Sequence, residues 1–154
     1  MEMNFCERWF RQKKMIIGPM NIEKAKKLDQ KGKPYTVIIG SSENPEFFIE
    51  VNKGFYGVSF LDDLKREYLL YNFEEITEGM LFLKEAIHRE FDGKKDPVIS
   101  GTVYRFSPDG TVKIEKSKAP FEKAEMFEKK TDVSKNWEKK PEFGKYENLI
   151  KKER

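Results

Sequence analysis

Between Tyr35 and Phe73 apolar residues recur at alternate positions, and only short turn sequences interrupt them. Phe47, Ile49 and Val51 fall on one face of an extended chain, and Glu46, Phe48 and Glu50 on the other. Tyr56, Val58 and Phe60 repeat the pattern, as do Leu69, Tyr71 and Phe73 against Tyr68 and Leu70. A period of two is the mark of a half-buried strand, because successive side chains point to opposite faces. Tyr35–Ile39 reads as the strand before them, ended by Gly40-Ser41-Ser42. Asn52-Lys53-Gly54 offers a glycine for a positive-φ turn position, and Asp62-Asp63 turns the chain again. Connections this short force antiparallel neighbours.

Other periods flank this meander. Asn21 is an acceptable N-cap, and Ile22, Ala25 and Leu28 follow at helical spacing until Gly32 and Pro34 stop the helix. Phe5, Cys6, Trp9 and Phe10 suit one face of an earlier helix, although the segment also suits an extended chain. Thr77 reads as an N-cap, and Met80, Leu83, Ile87 and Phe91 as the apolar stripe of a helix that ends near Gly93. Val98–Phe106 and Thr111–Glu115 read as strands around Ser107-Pro108-Asp109-Gly110, which suits a type I turn. Residues 117–130 stay open between a helix starting at Pro120 and an edge strand. Trp137, Phe143 and Tyr146 predict a C-terminal segment anchored on the body.

The expected fold class is therefore α+β, an antiparallel sheet of about five to seven strands with one main helix, Thr77–Phe91, packed on a face. One domain is expected over 1–154. It comprises an N-terminal helical or irregular segment (1–34), a sheet-plus-helix core (35–116) and the anchored segment (117–154).

Composition limits the chemistry. The 154 residues are 38% hydrophobic and 37% charged, against about 25% charged in an average domain. Thirteen Phe, six Tyr and two Trp argue against a disordered polyelectrolyte. A single cysteine, Cys6, excludes an internal disulfide, and with a single histidine, His88, it excludes Cys/His zinc sites. Neither residue has the neighbours of a nucleophile or a base, so Cys6 reads as a small buried hydrophobe and His88 as a surface or boundary residue. No dinucleotide fingerprint or P-loop occurs. No catalytic residue, metal or cofactor is expected, and the chain is read as not an enzyme. Met15-Ile16-Ile17 is too short to span a bilayer, and no signal-peptide run precedes it. A cytoplasmic location is expected, without a membrane partner.

The net charge of +3 hides a segregation. Residues 1–33 carry nine Lys/Arg against four Asp/Glu, a balance of +5. Residues 43–92 carry five against twelve, a balance of −7, and residues 113–154 thirteen against nine, a balance of +4. The plain reading is that the basic ends fold onto the acidic middle. The functional reading is an acidic face for a basic partner. Asp62, Asp63, Glu67, Glu74 and Glu75 are its candidate partner-binding residues. Paired carboxylates also serve glycosidases and hold divalent cations, but the spacing here matches no calcium loop. Lys135-Asn136-Trp137-Glu138-Lys139-Lys140 interleaves lysine with an aromatic, yet its glutamate breaks a continuous positive groove, so nucleic acid is not the expected partner.

The run Asp132-Val133-Ser134-Lys135-Asn136-Trp137-Glu138, followed by Pro141-Glu142-Phe143-Gly144-Lys145-Tyr146, resembles the ending of small bacterial immunity proteins. Phe60-Leu61-Asp62-Asp63, Phe91-Asp92-Gly93 and Ser107-Pro108-Asp109-Gly110 occur in the same order ahead of it. The likeness covers most of the chain from about residue 35, in pattern and order. Such proteins accompany polymorphic or contact-dependent-inhibition toxins. The resemblance implies a non-enzymatic protein that binds the C-terminal domain of one cognate toxin and blocks it. Immunity proteins against nucleases are often acidic overall, whereas this chain is basic. The second reading is a small nucleic-acid-binding or regulatory domain, and the third an enzyme that uses carboxylates.

Overall fold

The computed structural model describes all 154 residues. Eleven strands form one antiparallel sheet: β1 (Met3–Phe10), β2 (Met15–Met20), β3 (Tyr35–Gly40), β4 (Pro45–Asn52), β5 (Phe55–Leu61), β6 (Glu67–Thr77), β7 (Met80–Phe91), β8 (Val98–Phe106), β9 (Thr111–Lys118), β10 (Ala124–Lys130) and β11 (Trp137–Lys139). From β3 to β10 the order is a simple meander; β1 lies between β3 and the edge strand β2. β11 pairs with the first part of β7, Met80–Phe82, while β8 pairs with Glu85–Phe91. The buried Asn136 side chain donates to the Leu83 carbonyl at 3.0 Å, in the gap between these two pairings.

The only α-helix, α1 (Ile22–Gln30), follows β2. The Asn21 side chain accepts from the Lys24 N–H at 2.9 Å, the N-cap bond its sequence predicts. Gly110 and Gly54 take positive φ (93° and 77°), and the Gly110 N–H closes the Ser107–Gly110 turn at 2.9 Å. The strands of the Tyr35–Phe73 meander lie where alternation places them.

The helix expected over Thr77–Phe91 is instead β7, at 12 residues the longest strand. Its misleading spacing has a physical source. Asn72 of β6 faces Glu85, and Phe73 faces Leu83, so Lys84 is an extra residue, a β-bulge. The bulge puts Leu83 and Ala86 in the same core cluster although they are three positions apart, so no period of two marks the strand, and Leu83, Ile87 and Phe91 are left at the four-residue interval that reads as helical. Met80 is exposed and Ile87 only half-buried, so no stripe of the predicted kind exists. The α+β expectation is thereby corrected: eleven strands replace about five to seven, and the one short helix lies elsewhere. The helical reading of Phe5–Phe10 is corrected too, because the segment is β1, with Phe5 and Cys6 in separate core clusters. The N-terminal segment is thus two strands and a helix. Residues 124–130 form an edge strand.

The main core lies on one face of the sheet. It contains Phe5, Val37, Ile49, Val58, Phe60, Phe73, Leu81 and Leu83, and is covered by Ala25 of α1 and by Tyr146 and Leu149 from the C-terminal segment. Phe143 stacks on Phe5 at 5.4 Å, and Trp137 meets Phe82 edge-on at 4.8 Å, so all three tail aromatics pack on the body. A buried polar chain ties this cover down: Tyr35 Oη donates to Asp29 Oδ1 at 2.7 Å and lies 3.0 Å from Tyr146 Oη. Because the Tyr35 proton goes to Asp29, Tyr146 donates to Tyr35. A smaller cluster of Cys6, Trp9, Ile38, Phe48 and Leu61 occupies the opposite face at the β1–β5 end.

Candidate interaction surface

The acidic residues of the middle segment do not gather into one face. Asp62 caps the β5–β6 turn, accepting from the Leu64 and Arg66 N–H groups, and pairs with Arg66 Nε at 2.8 Å. Burial opposes its charge, but these hydrogen bonds outweigh that and hold its carboxyl below the ordinary value. Arg66 also reaches the Gly93 and Lys95 carbonyls and lies 4.4 Å from the centre of the Phe91 ring, which locks the turn to the β7–β8 loop. Glu67 accepts from Ser59 at 2.9 Å and from Arg11 Nε at 2.9 Å, while Arg11 also bonds Glu50 at 2.7 Å and lies over Phe48. Glu75 accepts from the Gly79 N–H at 2.7 Å and from Lys140 at 3.2 Å, so its pKa is lowered, first by that backbone bond. Asp63 is exposed, and Glu74 is exposed beside Lys84 at 3.0 Å.

Asp62–Asp63 and Glu74–Glu75 stand at opposite ends of β6. Seven residues from Glu67 to Glu74, at about 3.3 Å each, put roughly 23 Å between them. Two basic regions of the chain do pair with acidic residues of the middle, through Arg11 with Glu50 and Glu67 and Lys140 with Glu75, and Lys14 pairs with Asp96 just beyond it.

Cys6 is fully buried, and burial pushes its thiol up to about 11. His88 packs edge-on to Tyr104 at 5.6 Å. No group of three or more His, Cys, Asp or Glu is placed to hold a metal ion. No helix is long and apolar enough to cross a membrane. Trp137 is occupied by Phe82, and Glu138 pairs with Lys151 and Arg154, so the lysine-aromatic run is built into the fold.

An open surface lies elsewhere. The cover of α1 and the C-terminal segment sits on the main-core face, and the smaller cluster fills the other face only at the β1–β5 end. From β6 to β10 neither core cluster reaches that second face, which is open beyond Phe82, where Trp137 packs. Cross-strand register aligns Leu70, Ile87, Val103, Glu115 and Met126 in one row across it. The next row is Asn72, Glu85, Arg105, Lys113 and Glu128. Leu70, Ile87 and Val103 are half-buried, and none belongs to either core cluster. Arg105 pairs with Glu85 at 3.3 Å and Glu115 at 3.4 Å, and Asn72 donates to Glu85 at 2.9 Å. Beside these rows a groove of about 300 Å³ is lined by Phe55, Asn72, Glu74, Lys84, Glu85 and Arg105. An apolar centre bordered by partly exposed ion pairs has the layout of a protein–protein contact.

Of the sequence candidates, only Glu74 borders this surface. Ile87 was read as part of a helical stripe because the Lys84 bulge hides its facing, and Arg105 lay on an expected strand but carried no signal of a partner. Leu70 was visible as the apolar residue alternating against Leu69 and Tyr71. Comparison of the chain with family models, curated proteins and solved structures finds no match.

Proposed function

We propose that this chain is a cytoplasmic immunity protein, a stoichiometric inhibitor that binds the C-terminal domain of a cognate bacterial toxin. The observation that carries the reading is the open face of β6–β10, with Leu70, Ile87 and Val103 in line and charged residues around them. The resemblance of the C-terminal run to immunity proteins supplies the class of partner. Five strands at about 4.8 Å spacing make this face about 20 Å broad, suited to a standard interface of about 800 Å² per partner. The apolar row supplies desolvated contact. Glu74, Glu85 and Glu115 supply acceptors for a basic toxin surface; the exposed Glu74–Lys84 pair can give up its partner at little cost, and Glu85 and Glu115 share Arg105. Asp63 adds an unpaired charge near the β5–β6 turn.

The test is to search the genes beside this one for a candidate toxin domain and to co-express the two. The protein should copurify with that domain at a ratio of one to one, protect growth and turn nothing over. Reversal of Asp63 and Glu74 to Lys should slow association, more so at low salt. Glu67, Asp62 and Glu75 are poor choices for reversal, because each holds backbone or buried side-chain groups in place. Copurification failing under conditions where the toxin domain folds defeats the reading.

A further inference from the structure

β10 ends the sheet, with β9 on one side and no strand on the other. All seven of its residues are exposed, including Met126 (59%) and Phe127 (48%). The backbone groups it leaves free follow from its pairing. The Thr131 N–H donates to the Gly110 carbonyl at 2.8 Å, and the register runs from Lys130 opposite Thr111 to Ala124 opposite Ser117. In an antiparallel ladder alternate residues turn both backbone groups to the same neighbour. Glu125, Phe127 and Lys129 therefore face β9, while Ala124, Met126, Glu128 and Lys130 present theirs outward.

We propose that β10 pairs with β10 of a second copy of this chain, antiparallel and centred on Phe127, joining the two sheets into one. Outward-facing residues must oppose outward-facing residues, so a symmetric pair is centred on a residue and never between two. Centring on Glu125, Glu128 or Lys129 sets a charge against its own copy. Centring on Met126 brings Glu125 opposite Phe127 and forms no opposite-charge pair within the strand. Centring on Phe127 sets Glu125 of each copy against Lys129 of the other, twice. It also brings the two Phe127 rings together at the close, non-hydrogen-bonded position, and Met126 and Glu128 exchange the backbone bonds. Opposite charges and aromatic pairs directly across a ladder stabilise it, and like charges oppose it. Lys116 already lies 5.7 Å from the centre of the Phe127 ring. The proposal rests on this edge and is independent of the toxin-binding reading. One strand edge per copy is a small surface, so the association belongs to the weak class.

Sedimentation velocity on the intact protein, in a concentration series reaching about 1 mM, tests it. The wild type should shift from monomer to dimer. Lys129→Glu, which has Val112 opposite it on β9, should weaken the dimer about tenfold, because each substitution acts at two symmetric positions. The double swap Glu125→Lys/Lys129→Glu should recover association, since both cross-strand pairs return with reversed sign. Circular dichroism checks that each variant keeps its strands. A wild type that stays monomeric throughout, or a dimer indifferent to Lys129→Glu, or one that the double swap fails to restore, overturns the proposal.

Discussion

The buried hydroxyl chain from Tyr146 through Tyr35 to Asp29 makes a prediction about asymmetry. Tyr35 is 1% exposed and Tyr146 2%, whereas Asp29 is half-exposed. Tyr146→Phe removes one donor, and Tyr35 still donates to Asp29. The expected cost is the net value of one hydrogen bond, about 1 kcal/mol. Tyr35→Phe removes the middle group and leaves the Tyr146 hydroxyl buried with its acceptor gone. An orphaned buried polar group adds about 1–3 kcal/mol, for a total of about 2–4 kcal/mol. In the double variant no hydroxyl is orphaned, and Asp29 replaces its lost bond with water. Its cost should be about 1.5 kcal/mol, below the sum of the single costs and below that of Tyr35→Phe alone. Urea unfolding followed by circular dichroism measures all four proteins. Equal single costs that add to within about 0.5 kcal/mol would refute the reasoning, because they would mean the hydroxyls act independently.

Deleting residues 131–154 removes Trp137, Phe143, Tyr146 and Leu149 from their packing sites; at about 1.5–3 kcal/mol each the loss rivals the whole stability of a domain, so the truncated chain should show no cooperative melt. Asp62, Glu75 and Glu138 have carboxyls held below their ordinary values, so each adds stability that is full above its unfolded pKa and is lost as pH falls through the folded one. The urea midpoint should therefore fall as pH drops below about 4, and Asp62→Asn should flatten that acid limb. Cys6 should resist a thiol reagent in the native protein at pH 8 and react at once in denaturant; prompt native labelling would contradict its burial. Changing His88→Gln and Cys6→Ser together should leave toxin protection intact, measured as growth under toxin expression.

The meander from Tyr35 to Phe73 was legible because its strands alternate without interruption and its turns carry glycine or aspartate. α1 was legible from Asn21 and the Gly32 stop. β7 was not, because the Lys84 bulge breaks a period of two and leaves Leu83 and Ala86 three apart. β1 failed for a related reason. Cys6 and Trp9 meet in one cluster on the second face, a grouping that simple alternation cannot give them. The anchoring of the tail was readable from its three aromatics, but its partners Phe5 and Phe82 were not, since long-range register is set by pairing rather than by local composition. The candidate carboxylates were visible one by one. Their dispersal along β6, and the ties of Asp62, Glu67 and Glu75, depend on neighbours as distant in sequence as Arg11 and Lys140.

In the proposed role, the open face of β6–β10 receives the toxin domain. The direct measurement is isothermal titration of that domain with wild type and with Ile87→Lys, which places a charge at the middle of the apolar row and leaves both core clusters untouched. One site per chain is expected, with at least a hundredfold loss of affinity, about 2.7 kcal/mol, in a variant whose melting temperature is little changed. Wild-type affinity retained by the folded variant would contradict that role.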